Sequence, residues 1–194
     1  NQAVAAASLE DSVRTYQEAL ITHGVTGSNI AGVFKGSRVL ALSAVASDLP
    51  GDKAITEETI FPIWSMSKPV TIVAMMVLLD QGKYSVDEPV AKYLPEFADL
   101  MCRPEDEDAD LYPCENELLI EHLLTHRSGY SYYGIVGGEG PDFRYPYTDL
   151  EDYIRHVAYW PVEFEPGTAY LYGINQAILG RLVEVLSGKT FFEF

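Results

Sequence analysis

Ser65 and Lys68 lie three residues apart in the stretch FPIWSMSKPVTIVAMM (residues 61–76), where a long apolar segment begins. Side chains at positions i and i+3 of a helix lie on one face, about 5–6 Å apart at their Cβ atoms. A serine hydroxyl becomes an effective nucleophile when a base removes its proton, and burial in an apolar pocket lowers the pKa of a lysine amine towards that task. The spacing therefore predicts that Ser65 is a nucleophile and Lys68 its proton acceptor.

The segment that follows is apolar almost all round as far as Gly82, which predicts a helix buried on every side. Trp64 and Met66 would then help to build an apolar pocket around the amine. Pro69 has no N–H, so the backbone of Ser65 is predicted to lie at the edge of the helix with its own N–H free to face an oxyanion. The alternative is a capping serine beside a surface lysine, because this short pattern also arises by chance.

The remaining elements predict an α+β protein, within the broad α/β class. A helix is expected from Ser8 to Gly24, followed by two β-rich segments around Lys35, Gly36 and Ser37 that form a hairpin. Further helices are expected over 115–129, 148–161 and 174–188, the second capped by Thr148. A two-stranded sheet is marginal by itself, so the chain is interpreted as a fragment or as one of two polypeptides that share a sheet.

Three collinear stretches carry a family resemblance: FPIWSMSKPVTIVAMMVLLDQGKYSVDEPVAKYLPEF (61–97), IEHLLTHRSGY (120–130) and EPGTAYLYGINQAILGRLVEVLSG (165–188). Together they resemble the serine β-lactamase and penicillin-binding superfamily, especially its class C-like β-lactamases, D-Ala-D-Ala peptidases and family VIII carboxylesterases. The resemblance implies a β-lactamase-like fold in which a helical region packs on an antiparallel sheet. Residues 1–194 would be the N-terminal part of one domain, with a helix and hairpin in 1–58 and the helical region in 59–194.

The resemblance also assigns roles to individual residues. It implies that Ser65 is acylated, that Lys68 accepts its proton, and that Tyr172 lies against the serine hydroxyl and the leaving group; the alternative for Tyr172 is a packed aromatic. An asparagine usual in the family would fall at Ile174, whereas here Asn175 comes one residue late. His126 is expected to be structural. The candidate substrate-binding residues are Trp64, Tyr130, Tyr133 and Asn175, although the tyrosines of the segment 129–147 are as readily explained by packing.

A third family motif, Lys or His, then Ser, Thr or any residue, then Gly, is expected on a strand that supplies the second oxyanion N–H. The segment SGKT (187–190) follows a helix and is not that motif. Losing one oxyanion donor costs about 3–4 kcal/mol in the transition state. The chain alone is therefore predicted to be a poor catalyst whose sheet and oxyanion hole are completed by a C-terminal polypeptide carrying the third motif.

The predicted function is a serine hydrolase that forms an acyl-enzyme, specifically a carboxylesterase for short-acyl esters. A β-lactamase or D-amino-acid peptidase with the same mechanism is the first alternative, and a non-catalytic penicillin-recognising module is the second. No cofactor is expected. No metal site is expected either: around Asp106, Asp108, Asp110 and Glu117, Leu111 occupies the position where a calcium loop needs glycine, and the histidines lack ligand spacing.

Composition limits the partners and the compartment. The formal net charge is −16, which disfavours binding to nucleic acid or anionic membranes, and no apolar run reaches the roughly 20 residues of a membrane span. The N-terminal segment NQAVAAAS is compatible with what remains after removal of a signal peptide, or with an arbitrary boundary of the sequence. Cys102 and Cys114 would suit a disulfide in an exported protein or free thiols in a cytosolic one. A periplasmic or secreted location is predicted, with a cytoplasmic one as the alternative.

Overall fold

A computed structural model of the chain describes residues 8–106, 108–132 and 147–194. The chain divides into two compact units, Asn1–Pro62 and Ile63–Phe194. The first contains a helix and an antiparallel hairpin, and the second is mainly helical. The predicted combination of helices with a small antiparallel sheet is confirmed.

The first unit begins with helix α1 (Leu9–Thr22), which packs on the hairpin formed by β1 (Asn29–Lys35) and β2 (Arg38–Val45). Ser8 caps the helix, as its position predicts, and exchanges hydrogen bonds with Asp11 in a capping box. The strands pair from Asn29 opposite Val45 to Lys35 opposite Arg38, and Gly36 turns the chain with φ of 59°. The hairpin prediction is therefore confirmed, including the position of the turn.

Gln17 joins this helix to both strands. Its side chain is 1% exposed, and its Nε2 donates to the carbonyl oxygens of Asn29 at 3.1 Å and Ser43 at 3.0 Å. A buried amide has to find such acceptors because desolvating it alone is unfavourable. The two bonds hold α1 in one register on the hairpin.

The described part of the second unit contains the α-helices α2 (Lys68–Asp80), α3 (Ile120–Leu124), α4 (Leu150–Ala158) and α5 (Asn175–Ser187), together with the antiparallel pair β3 (Met101–Cys102) and β4 (Tyr112–Pro113). Helix α5 packs against α2, α3 and α4. Its buried side chains Ile178, Leu179, Leu182 and Val183 form the centre of the core. The helix that carries the predicted catalytic lysine is thereby anchored to the helix that follows the predicted catalytic tyrosine.

Helix α2 differs from its prediction. Met75 and Leu78 are fully buried, but Val70 and Val73 are about three-fifths exposed and Val77 is also exposed. The prediction of burial on every side is wrong for these residues, because an all-round apolar composition does not reveal which face has neighbours. Val70, Val73 and Val77 recur at spacings of three and four and form one exposed apolar stripe, called the α2 stripe below.

Two helix boundaries also differ. Helix α3 covers only Ile120–Leu124, because His126 adopts a φ of 56° and the N–H of Arg127 returns to the carbonyl of His122 at 2.7 Å. Helix α4 is capped by Asp149, not Thr148: the Asp149 carboxylate accepts the Asp152 N–H at 2.8 Å.

Cys102 and Cys114 form a disulfide that closes the acidic loop between β3 and β4. This answers the question of pairing that the sequence left open. Across the described ranges, no helix combines the length and the apolar character that crossing a membrane requires.

Candidate active site

Ser65 and Lys68 lie at the junction between a short 3-10 turn, Trp64–Ser67, and the start of α2. The backbone N–H of Lys68 donates to the carbonyl of Ser65, and Pro69 occupies the first turn of the helix, where its missing N–H costs nothing. This local geometry brings Lys68 Nζ to 3.1 Å from Ser65 Oγ. The contact predicted from the three-residue spacing is present.

The surroundings of the amine differ from the predicted apolar pocket. Trp64 is 82% exposed and Met66 is 68% exposed, so neither encloses Lys68, which is itself only partly buried. Tyrosine rings approach the amine instead: Nζ lies 4.6 Å from the ring centre of Tyr172 and 5.6 Å from that of Tyr132. The expected desolvated amine is replaced by a cation held against two phenols.

The surroundings of Lys68 shift its pKa in the direction opposite to the one predicted. Partial burial disfavours the ammonium, but hydrogen bonding to Tyr172 and Tyr132 outweighs it and raises the pKa of Lys68 above its ordinary value. Hydrogen bonds from Lys68 and then Ser65 lower the pKa of the Tyr172 phenol. The prediction of a lowered lysine pKa is wrong, because the residues that contact the amine lie about 60 and 100 positions further along the chain. Of the two groups, Tyr172 is the one whose deprotonated form becomes easier to reach.

Tyr172 is positioned by the segment that leads into α5. The N–H of Leu171 donates to the carbonyl of His126 at 2.8 Å. Gly173 packs so closely on the next loop that an added Cβ would lie 1.9 Å from the carbonyl oxygen of Tyr130. The Tyr172 ring lies 4.8 Å from that of His126 and 5.8 Å from that of Tyr132.

Asn175 does not offer its side chain to a ligand. It is fully buried; its Oδ1 accepts the Ser128 hydroxyl, and its Nδ2 lies 2.8 Å from His126 Nδ1. The prediction that Asn175 binds substrate is corrected: this first residue of α5 lies in the core and joins that helix to the loop after α3.

Tyr130 is also a core residue. It is 1% exposed and packs edge-to-face on Phe97, with ring centres 6.0 Å apart, so the prediction that it contacts substrate is wrong. Tyr133 lies outside the described residues. Trp64 remains accessible beside Ser65, with an unusual φ of 49°.

The sequence interpretation considered Tyr132 only among the tyrosines that could line the substrate entrance, and it underestimated His126. The His126 ring lies against that of Tyr172, and the Tyr132 ring lies near both Tyr172 and the Lys68 amine. The available signals were the cluster of tyrosines after Gly129 and the histidine that precedes it. Neither signal indicates which ring reaches the lysine, because that depends on how the loop before α5 crosses the loop after α3.

A sequence model described as "Beta-lactamase" matches residues 9–194. Among curated proteins, Esterase EstB of Burkholderia gladioli is 31% identical over 153 residues, which cover 74% of this chain and 36% of that protein. Acyltransferase calJ of Penicillium decumbens is 31% identical over 161 residues, covering 76% of this chain and 36% of that protein. The chain thus spans about a third of the length of these relatives.

Solved structures give the same picture of the fold. A protein described as EstCE1, a hydrolase with promiscuous acyltransferase activity, superposes with a TM-score of 0.74 at 26% identity, over 92% of this chain and 47% of that one. The octameric penicillin-binding protein homologue from Pyrococcus abyssi superposes with a TM-score of 0.67 at 26% identity, over 94% and 40%.

Proposed function

The chain belongs to the beta-lactamase family, and on that premise we propose that it is a serine hydrolase that forms an acyl-enzyme at Ser65. We propose carboxylic esters with short acyl groups as its substrates. The observation that carries the proposal is the convergence of Ser65 Oγ, Lys68 Nζ and the Tyr172 phenol at one position. A nucleophile, a cation and a tunable acid–base group are the parts that acyl transfer requires.

In the proposed mechanism Tyr172, not Lys68, accepts the Ser65 proton. The raised pKa of Lys68 keeps it as an ammonium, and that cation stabilises the Tyr172 phenolate. Ser65 Oγ attacks the ester carbonyl as its proton passes to the phenolate oxygen. The phenol then protonates the leaving alkoxide, which departs as the alcohol. A water molecule attacks the acyl-enzyme while the phenolate accepts its proton, and the phenol returns that proton to the departing Ser65 oxygen, which releases the carboxylic acid and restores the phenolate.

The oxyanion requires donors from the backbone. Within the described residues the Ser65 N–H has no acceptor, which supports its assignment as one donor. We propose that the second comes from a C-terminal segment carrying the third family motif. The exposed α2 stripe and the two-stranded β1–β2 sheet support this proposal, because both are surfaces that a larger fold would cover.

A β-lactam or D-amino-acid peptide is the second candidate substrate, with the same mechanism. An amide substrate would benefit from a side-chain amide at the site, and the engagement of Asn175 by Ser128 and His126 disfavours it. A penicillin-recognising module without turnover is the third candidate. We propose a periplasmic or secreted location, which the Cys102–Cys114 disulfide supports over the cytoplasmic alternative.

The test is p-nitrophenyl butyrate hydrolysis followed from the first turnover, beside labelling with a fluorescent penicillin. A burst of nitrophenol equal to the protein concentration, followed by steady release, is expected for the esterase. Stoichiometric penicillin labelling without release would instead identify the recognition module. Absence of both in wild-type protein, or an unchanged burst in Ser65→Ala, would refute the proposal.

A further inference from the structure

A buried chain of hydrogen bonds fixes the state of His126. Ser128 Oγ accepts the N–H of Tyr130 at 3.1 Å, so its own proton is directed to Oδ1 of the fully buried Asn175. The Asn175 amide therefore presents Nδ2, a donor, to His126 Nδ1 at 2.8 Å. In this arrangement Nδ1 is the acceptor, and the single proton of a neutral imidazole lies on Nε2.

The neighbours of His126 also favour the neutral ring. Burial, followed by the positive charge of Lys68, lowers the pKa of His126 below its ordinary value. The titratable groups that face it are Lys68 at the start of α2 and the phenols of Tyr170 and Tyr172 in the segment before α5. A proton on Nδ1 would both oppose Lys68 and break the bond with Asn175.

The face of this fixed ring lies against Tyr172. The two ring centres are 4.8 Å apart with an interplanar angle of 34°, while Tyr172 is 41% exposed on its other sides. A side chain so open to solvent needs a contact that prevents its rotation away from Lys68. The backbone of His126 adds a second link by accepting the N–H of Leu171.

We propose that His126 is the positioning residue of this site: the face of its neutral ring keeps the Tyr172 phenol beside Lys68 and Ser65. The inference deepens the proposed function and rests on it for its catalytic meaning, because His126 acts only through Tyr172. The geometric part of the inference concerns Tyr172 alone and can be tested without any substrate.

Two substitutions separate the roles of the ring and of its acceptor atom. His126→Asn keeps an acceptor for Asn175 near the position of Nδ1 and tolerates the positive φ of 56°, but removes the ring face. His126→Phe keeps a ring against Tyr172 but leaves the Asn175 Nδ2–H unpaired. His23→Asn, at an exposed position after α1, is the matched control.

The measurement is the pKa of Tyr172 from ¹³Cζ-tyrosine NMR, assigned with Tyr172→Phe, together with the rate of Ser65 labelling by a fluorophosphonate. His126→Asn is expected to raise the pKa of Tyr172 towards its ordinary value and to slow labelling by about 10- to 100-fold. His126→Phe is expected to lower the unfolding midpoint while leaving the Tyr172 pKa near that of the wild type. His23→Asn should change neither quantity.

A Tyr172 pKa and labelling rate that are unchanged in His126→Asn would overturn the inference. A pKa increase in His126→Phe as large as that in His126→Asn would overturn it too, since a general structural role predicts parallel effects. If wild-type Ser65 resists labelling while His126→Asn still raises the Tyr172 pKa, the positioning role is supported and the hydrolase proposal fails instead.

Discussion

A phenol and an ammonium that share a hydrogen bond shift each other's pKa in opposite directions, and single residues of this site follow that rule. Lys68 lowers the pKa of Tyr172, and Tyr172 raises that of Lys68. The phenolate form is favoured because the neighbouring cation compensates its charge. In the proposed mechanism the base therefore arises from two residues that would be weak alone.

Replacing Lys68 by alanine tests this coupling. Without the cation the Tyr172 pKa should rise, and because phenolate is the active form, Ser65 acylation should require a higher pH. Each unit of increase reduces the phenolate fraction at neutral pH tenfold. The measurement is the pH dependence of fluorophosphonate labelling, whose acid limb should move to higher pH in Lys68→Ala. An acid limb that stays in place or moves to lower pH would contradict the coupling.

The sequence predicts the Ser65–Lys68 contact because both atoms belong to one turn of chain. It does not predict the charge state of Lys68, which depends on Tyr132 and Tyr172. It also misassigns Tyr130 and Asn175, since residue type does not reveal which side of a loop faces the core. Local geometry is predictable from spacing, whereas side-chain environment requires the tertiary fold.

Among the elements, the segment between residue 168 and α5 determines where the tyrosine lies. The Leu171 backbone bond and the close approach of Gly173 to Tyr130 define its path. Both contacts lie within one residue of Tyr172. A small displacement here should therefore be transmitted to the phenol almost undiminished.

Gly173→Ala is the corresponding prediction. Its Cβ would lie 1.9 Å from the Tyr130 carbonyl oxygen, so the segment has to move. We expect Ser65 labelling to slow by about 100-fold, with a loss of about 1–3 kcal/mol in the free energy of unfolding. Gly180→Ala in α5, where the added Cβ would meet Leu150 at 3.2 Å, is the control and should label normally. Labelling of Gly173→Ala at the wild-type rate would show that the segment does not position the base.

The β3–β4 pair owes part of its stability to its disulfide. Cys102 and Cys114 are 12 positions apart, and closing a loop of that length contributes about 3 kcal/mol in the chain-entropy description. Reduction should lower the free energy of unfolding by about that amount, as measured by urea denaturation with and without reductant. The double substitution Cys102→Ser with Cys114→Ser should be insensitive to reductant. Equal stability of the oxidised and reduced proteins would contradict this account.

Sequence periodicity predicted α1 and the hairpin well, because each carries its own capping or turn residues. It failed for the extent of α3 and for the exposed side of α2. Helix α2 has apolar residues on all faces, so no hydrophobic pattern distinguishes the buried Met75 from the exposed Val73. Which of these side chains is buried depends only on where the neighbouring elements lie.

At the scale of the whole molecule, the described residues contain the proposed nucleophile, the proposed base and one proposed oxyanion donor. A missing donor reduces turnover by about 10²–10³-fold. The 194-residue chain is therefore expected to release product from p-nitrophenyl butyrate far more slowly than the roughly 10 per second typical of enzymes. Turnover at that typical rate, with no second polypeptide on a denaturing gel, would contradict the need for a C-terminal segment.

The most direct test of the central claim is the intact mass of the chain after reaction with a fluorophosphonate, followed by peptide mapping. We predict one adduct, located at Ser65, which is absent in Ser65→Ala and strongly reduced in Tyr172→Phe. An adduct on another serine, or undiminished labelling of Ser65→Ala, would show that the hydroxyl 3.1 Å from Lys68 Nζ is not the nucleophile.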